Sequence, residues 1–110
     1  MAQLKNIPIE RAKSLNELID IKPHQVVSKA LTRDCDTSVV LMAFSDFENV
    51  SEEEYYGDTL YYVLEGYIEI KYGNNTYPVN KGEVIMVPSH VLHSVDGNKD
   101  AKFLQITVKE

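Results

Sequence analysis

GEVIMVPSHVLH, residues Gly82 to His93, is the stretch from which the fold is read. Gly82 closes an Asn80-Lys81-Gly82 turn, where a residue that tolerates positive φ is needed. Val84-Ile85-Met86-Val87 is a short, wholly apolar run that predicts a strand, and Pro88 stops it at a point where a missing N–H costs no ladder bond. Beyond the proline, alternation from Val91 to Val95 puts His93 on the same face as two valines, the face that turns toward a core. A buried imidazole needs a partner. A metal, a pocket ligand, a proton to be moved or a core hydrogen bond would each satisfy it.

Working outward, the same punctuation recurs. Gly57-Asp58, Gly66, Gly73-Asn74-Asn75 and Asp96-Gly97-Asn98 separate further β-prone runs. The predicted strands are Gln25 to Ala30, Ser38 to Phe44, Leu60 to Leu64, Tyr67 to Tyr72, Thr76 to Val79, Val84 to Val87, Val91 to Val95 and Lys102 to Val108. Eight short runs of this kind predict an all-β sandwich or barrel. Only Ser14 to Ile19 reads as helix, with Ser14 and Glu17 at capping-box spacing and Leu15, Leu18 and Ile19 on one face. The expected organisation is an N-terminal extension, residues 1–23, carrying that short helix, followed by a barrel domain, residues 24–110.

Tyr67 to Tyr72 alternates cleanly, as a strand with one wet face should. Leu60 to Leu64 and Val84 to Val87 are apolar on both faces, which requires a cover on the second side. A homodimer would provide it. The acidic triplet Glu52-Glu53-Glu54 reads as a solvated loop.

Composition narrows the function classes. A chain of 110 residues suits one domain with a single core. One cysteine, Cys35, rules out an intramolecular disulfide and suits a free thiol. Met1 to Lys13 lacks an apolar segment of signal-peptide length, and the longest apolar run, Val39 to Phe44, is too short to span a bilayer, so a cytoplasmic protein is expected. Seventeen acidic against eleven basic side chains leave a formal charge of −6, which repels phosphate backbones and anionic lipid. Neither nucleic acid nor membrane is an expected partner.

Gly82 to His93 resembles the second motif of the cupin superfamily, G-x5-P-x-G-x2-H-x3-N, in its glycine, proline and histidine. Upstream, Tyr62-Val63-Leu64-Glu65-Gly66 looks like the strand and turn that close the first motif, G-x5-H-x-H-x3,4-E-x6-G. Two matches in this order at this separation are far more specific than either alone. The resemblance spans roughly residues 53 to 97 and implies a small single-domain cupin of the conserved-barrel type, a jelly roll with its site inside.

That resemblance also shows what is missing. The usual glutamate ligand falls on Thr59, with Asp58 beside it. The two usual histidines fall on Glu53 and Tyr55, or on Glu52 and Glu54, and the final asparagine is Gly97. His93 alone stands intact. A catalytic first-row metal usually takes three protein ligands with open positions. His93, Glu53 and Asp58 are the set this chain offers for a divalent transition metal (Mn, Fe, Ni or Zn), the oxygen-rich donors favouring Mn or Fe; a solvated acidic loop is the competing reading of the two carboxylates. Tyr55, Tyr61 and Thr59 join His93 as expected lining of a ligand pocket, because alternation from Thr59 carries Tyr61 and Val63 inward with it.

The leading expectation is a cupin barrel that binds a small molecule, with or without a weakly held metal. A metal-dependent oxygenase or isomerase acting on a small acid or sugar is the second, and a barrel filled for structure or interaction alone is the third. Fold does not separate them.

Overall fold

The inward residues of the β-prone runs meet in two facing antiparallel sheets. The computed structural model describes residues 3–33 and 36–110; Cys35 lies outside the described residues. Among these the strands are β1 (Val26–Ala30), β2 (Thr37–Phe44), β3 (Asn49–Glu53), β4 (Gly57–Glu65), β5 (Tyr67–Tyr72), β6 (Asn75–Asn80), β7 (Val84–Val87), β8 (His93–Asp96) and β9 (Ala101–Lys109). One sheet runs β1-β2-β9-β4-β7 and the other β3-β8-β5-β6. This is the jelly-roll arrangement, in which two sheets cover each other's apolar faces.

Between the sheets lies the main core, built on Met42, Phe44, Val63, Phe103, Ile68, Ile70, Val79 and Val95. Phe44 and Phe103 meet edge to face with ring centroids 5.1 Å apart, a geometry that adds about 0.5–1.5 kcal/mol to simple burial. Gly66 turns β4 into β5 with φ +79°, and a Cβ there would fall 2.3 Å from the carbonyl oxygen of Asp100. Gly82 has φ +83° but open space around its Cα, so its turn demands the dihedral and not the missing side chain.

Three sequence expectations need correction. The helix expected at residues 14–19 is a single 3-10 turn, Leu15–Leu18. Ser14 makes no side-chain cap, and Ile19 is already extended, because Leu15, Leu18 and Ile19 turn down onto the sheet after one turn. The strand expected from Val91 begins at His93: residues 88–92 form an irregular turn in which the Val91 N–H donates to Pro88 and His90 has φ +68°. Glu52 and Glu53 are exposed, as expected, but belong to edge strand β3 and not to a loop. Acidic side chains on an edge discourage pairing with a foreign strand.

A second apolar cluster lies on the outside of the five-stranded sheet. Ile19, Leu15, Leu18 and Ile21 cover Leu41, Ala43, Val39 and Leu104. Two lysines fasten the segment: Lys29 Nζ donates to the Leu18 carbonyl at 2.8 Å and Lys102 Nζ to that of Asn16 at 2.7 Å. None of the helices among the described residues is long and apolar enough to cross a membrane.

Candidate functional site

Register, more than any single residue, locates the site. Directly paired residues of neighbouring strands point to the same face. On the inner face of the five-stranded sheet the rows are Phe44–Ala101, then Met42–Phe103–Val63, then Val40–Gln105–Tyr61–Ile85, then Ser38–Thr107–Thr59–Val87. Each of β2, β4 and β9 therefore passes from apolar to polar in the same direction. The barrel interior is oil at one end and hydroxyl, amide and imidazole at the other.

His93 enters that polar end from the opposite sheet and is 2 % exposed. Its Nδ1 lies 2.9 Å from the Val91 carbonyl oxygen, which can only accept, so Nδ1 carries the proton. Nε2 is 2.6 Å from the Tyr61 hydroxyl; with the ring neutral, Nε2 accepts and the phenol donates. Both ring nitrogens are engaged. The two rings stand edge to face at 5.7 Å, and Tyr55 lies 5.9 Å from His93 on another side.

Tyr61 is 1 % exposed, and burial pushes its phenol far above the ordinary value. Tyr55 and Glu53 add to the rise by their proximity. Tyr61 is consequently a hydrogen-bond donor over any ordinary pH range, never a phenolate base. Beneath it Thr59, also buried, meets the Thr107 hydroxyl at 3.1 Å.

Of the residues expected in a ligand pocket, His93, Tyr61, Tyr55 and Thr59 sit together. Those expected around a metal do not. Glu53 is the cross-strand partner of His93 and its side chain is exposed. Asp58 falls on the outer side of β4, one residue out of phase with Thr59, and its Oδ1 accepts from the Ser89 N–H at 3.0 Å. Among the described residues no three His, Cys, Asp or Glu side chains are grouped to hold a cation. A cupin metal does not fit these donors: the one imidazole is spoken for on both sides, and only one carboxylate stands near it.

Gln105 escaped the sequence reading. It is half-buried, shares a row with Tyr61, and its amide has no hydrogen-bond partner among the described residues. Its signal was available: in Phe103-Leu104-Gln105-Ile106-Thr107, Gln105 is the polar member of an apolar run and is in phase with the large apolar Phe103.

Outside the barrel mouth, His90 bridges two carboxylates, Glu110 at 2.5 Å and Glu54 at 3.6 Å, and its ring stands 5.0 Å from that of Tyr56. The Glu110 carboxylate holds the His90 imidazole above its usual value; a slight loss of hydration opposes this, and Glu54 adds to the rise. At the other end, an open cleft lies between Pro23-His24 and the Ser45–Glu48 turn, but its acidic groups are solvated, and Asp46 already accepts from the Asp100 N–H.

Comparison with known proteins agrees with the architecture. Residues 48–107 match the family described as the cupin domain. A cupin superfamily protein from Desulfitobacterium hafniense superposes with a TM-score of 0.96 at 41% identity, over 99% of this chain and 100% of that one. A conserved protein of unknown function from Streptococcus pyogenes gives 0.95 at 23% identity, over 100% and 96%. A cupin 2 conserved barrel domain protein from Leptotrichia buccalis gives 0.82 at 28% identity, covering 86% of this chain and 46% of that one. No curated protein matches. With the two motif halves, the jelly roll and the family match in agreement, the chain belongs to the cupin superfamily.

Proposed function

We propose that this barrel binds a small, uncharged, polar molecule, such as a sugar, polyol or amide, at the polar end of its interior, without a metal. The observation that carries the reading is the aligned layer of Tyr61, His93 and Gln105. A buried imidazole and phenol satisfy each other, while a neighbouring amide offers one acceptor and two donors that have no partner among the described residues. Aromatic walls with a few convergent polar groups are the usual make-up of a small-molecule site.

Electrostatics choose among ligands. The burial that pushes the Tyr61 phenol upward, and the Glu53 carboxylate that adds to it, would also disfavour a carboxylate or phosphate placed beside it. An uncharged ligand avoids that cost and still meets the Gln105 amide.

The test is a thermal-shift panel of neutral monosaccharides, polyols and small amides, each matched with its carboxylate counterpart. At 100 times its dissociation constant a true ligand stabilises the native state by about 2.7 kcal/mol, which raises the melting temperature by several degrees. Neutral compounds should give the shift, their acids should not, and Gln105→Leu should abolish it. A panel in which the acids bind, or in which Gln105→Leu leaves binding intact, overturns the proposal.

A further inference from the structure

We infer that the cleft beyond the apolar end of the barrel, away from His93, is a second binding site that holds a small primary ammonium compound. The cleft measures about 700 Å³, within the range of small-molecule sites. Asp46, Glu48 and Asp100 line it, and none of its lining residues is a lysine or arginine. Carboxylates open to water hold a cation only weakly by themselves. Ser45 is what makes more of this cleft. It is 6 % exposed. Its N–H donates to the Gln25 carbonyl at 3.3 Å and its carbonyl accepts from the Glu48 N–H at 3.2 Å, so its backbone is satisfied. The Ser45 hydroxyl has no hydrogen-bond partner among the described residues. No side-chain oxygen or nitrogen among those residues is sealed inside the protein without a partner, so the little surface that Ser45 keeps lies at its hydroxyl, which opens on the cleft.

The chemistry of these groups selects the ligand. A primary ammonium carries three donors and no acceptor, and the cleft offers the converse, a desolvated hydroxyl oxygen among carboxylate oxygens. Asp46 Oδ1 takes the Asp100 N–H at 3.0 Å, which ties two of the acidic segments together and leaves the second Asp46 oxygen to accept. Among the described residues no three His, Cys, Asp or Glu side chains are grouped to hold a metal ion, so the fit is to a cation larger than a bare metal. Ile21 and Pro23 supply an apolar wall, and Phe47, 78 % exposed, an aromatic face at the rim. A positive charge is attracted to such a face, and an apolar body on the amine covers the wall. A carboxylate or phosphate would instead meet three like charges on a chain whose formal charge is already −6.

An NMR titration of the ¹⁵N-labelled chain with millimolar benzylammonium tests the inference. Saturable shifts should appear at the amides of Ser45 to Glu48, His24 and Asp100. Benzyl alcohol, the same size without the charge, should not saturate. Benzyltrimethylammonium, which keeps ring and charge but has no N–H, should bind at least about tenfold more weakly. Ser45→Ala should weaken benzylammonium about tenfold, the loss of one hydrogen bond to a charged donor, with the rest of the spectrum unmoved. Asp46→Asn, which keeps an oxygen for the Asp100 N–H and removes the charge, should weaken it as well. Gln105→Leu should leave it unchanged, which separates this cleft from the barrel interior. Absence of saturable shifts overturns the inference, as do shifts centred on Tyr61 and His93 or equal binding of either analogue. Should Ser45→Ala misfold, Asp46→Asn and the two analogues still decide the matter, and an affinity that neither substitution lowers overturns the inference too.

Discussion

The Tyr61 hydroxyl and the His93 Nε2 lie 2.6 Å apart across the barrel, contributed by opposite sheets, and each is the other's partner. A buried polar pair of this kind is costly to halve. Removing one member leaves the other desolvated and unsatisfied, which costs about 1–3 kcal/mol. Tyr61→Phe should therefore lower stability by that amount in urea unfolding, although it deletes a single oxygen. In a double-mutant cycle with His93→Phe the two losses should be strongly non-additive. Additive losses would mean that the pair is not an energetic unit.

Metal ions should leave the protein unmoved. With Nδ1 of His93 donating to Val91 and Nε2 accepting from Tyr61, no nitrogen is free to coordinate. Elemental analysis of protein purified without chelators should find no stoichiometric Mn, Fe, Ni or Zn. Adding any of these, or EDTA, should not shift the melting temperature. A shift that disappears in His93→Ala would show that the imidazole releases Tyr61 for a metal.

Acid should tighten the barrel mouth. The Glu110 carboxylate raises the folded-state value of His90 above 6.5. A group raised in the folded state contributes its full stabilisation below the unfolded value and loses it as the pH climbs through the folded one. The tie between the turn after Pro88 and the last residue of the chain should thus be complete below about pH 6.5 and weaken above it. Following the His90 ring protons by NMR should give a titration midpoint above 6.5 that falls in Glu110→Gln. An unchanged midpoint would remove Glu110 as the cause.

Two glycines should respond differently to the same substitution. Gly82→Ala incurs only the left-handed backbone cost of about 1–2 kcal/mol, since its Cβ would meet open space. Gly66→Ala adds to that cost a contact of 2.3 Å with a backbone oxygen that cannot swing aside. Its loss should exceed about 3 kcal/mol, the range reached when backbone strain and overpacking combine. Equal melting temperatures for the two variants would contradict this ordering.

Much of this chain is legible without coordinates because its signals are local. Tyr67 to Tyr72 and Val84 to Val87 match the observed strands to the residue, since alternation and turn residues act within a few positions of themselves. Asn49–Glu53 went unread because an edge strand rich in acids is held by its neighbour β8 and not by its own propensity. Asp58 could have been set aside from sequence: if Thr59 faces inward, its neighbour faces out. The short helix failed for the opposite reason, its apolar side chains being pulled onto a sheet formed from residues far along the chain.

By itself the sequence determined eight of the nine strands described, the turns between them and an inward-facing His93, through periodicity, and the superfamily, through the resemblance to its two motifs. Only the tertiary structure decided what that imidazole does. Tyr61 is 32 residues away in sequence, and Gln105 meets Tyr61 only through the β4–β9 register. Whether polar residues on separate strands fall at one level of a barrel is a property of strand pairing, and no local stretch of sequence encodes it.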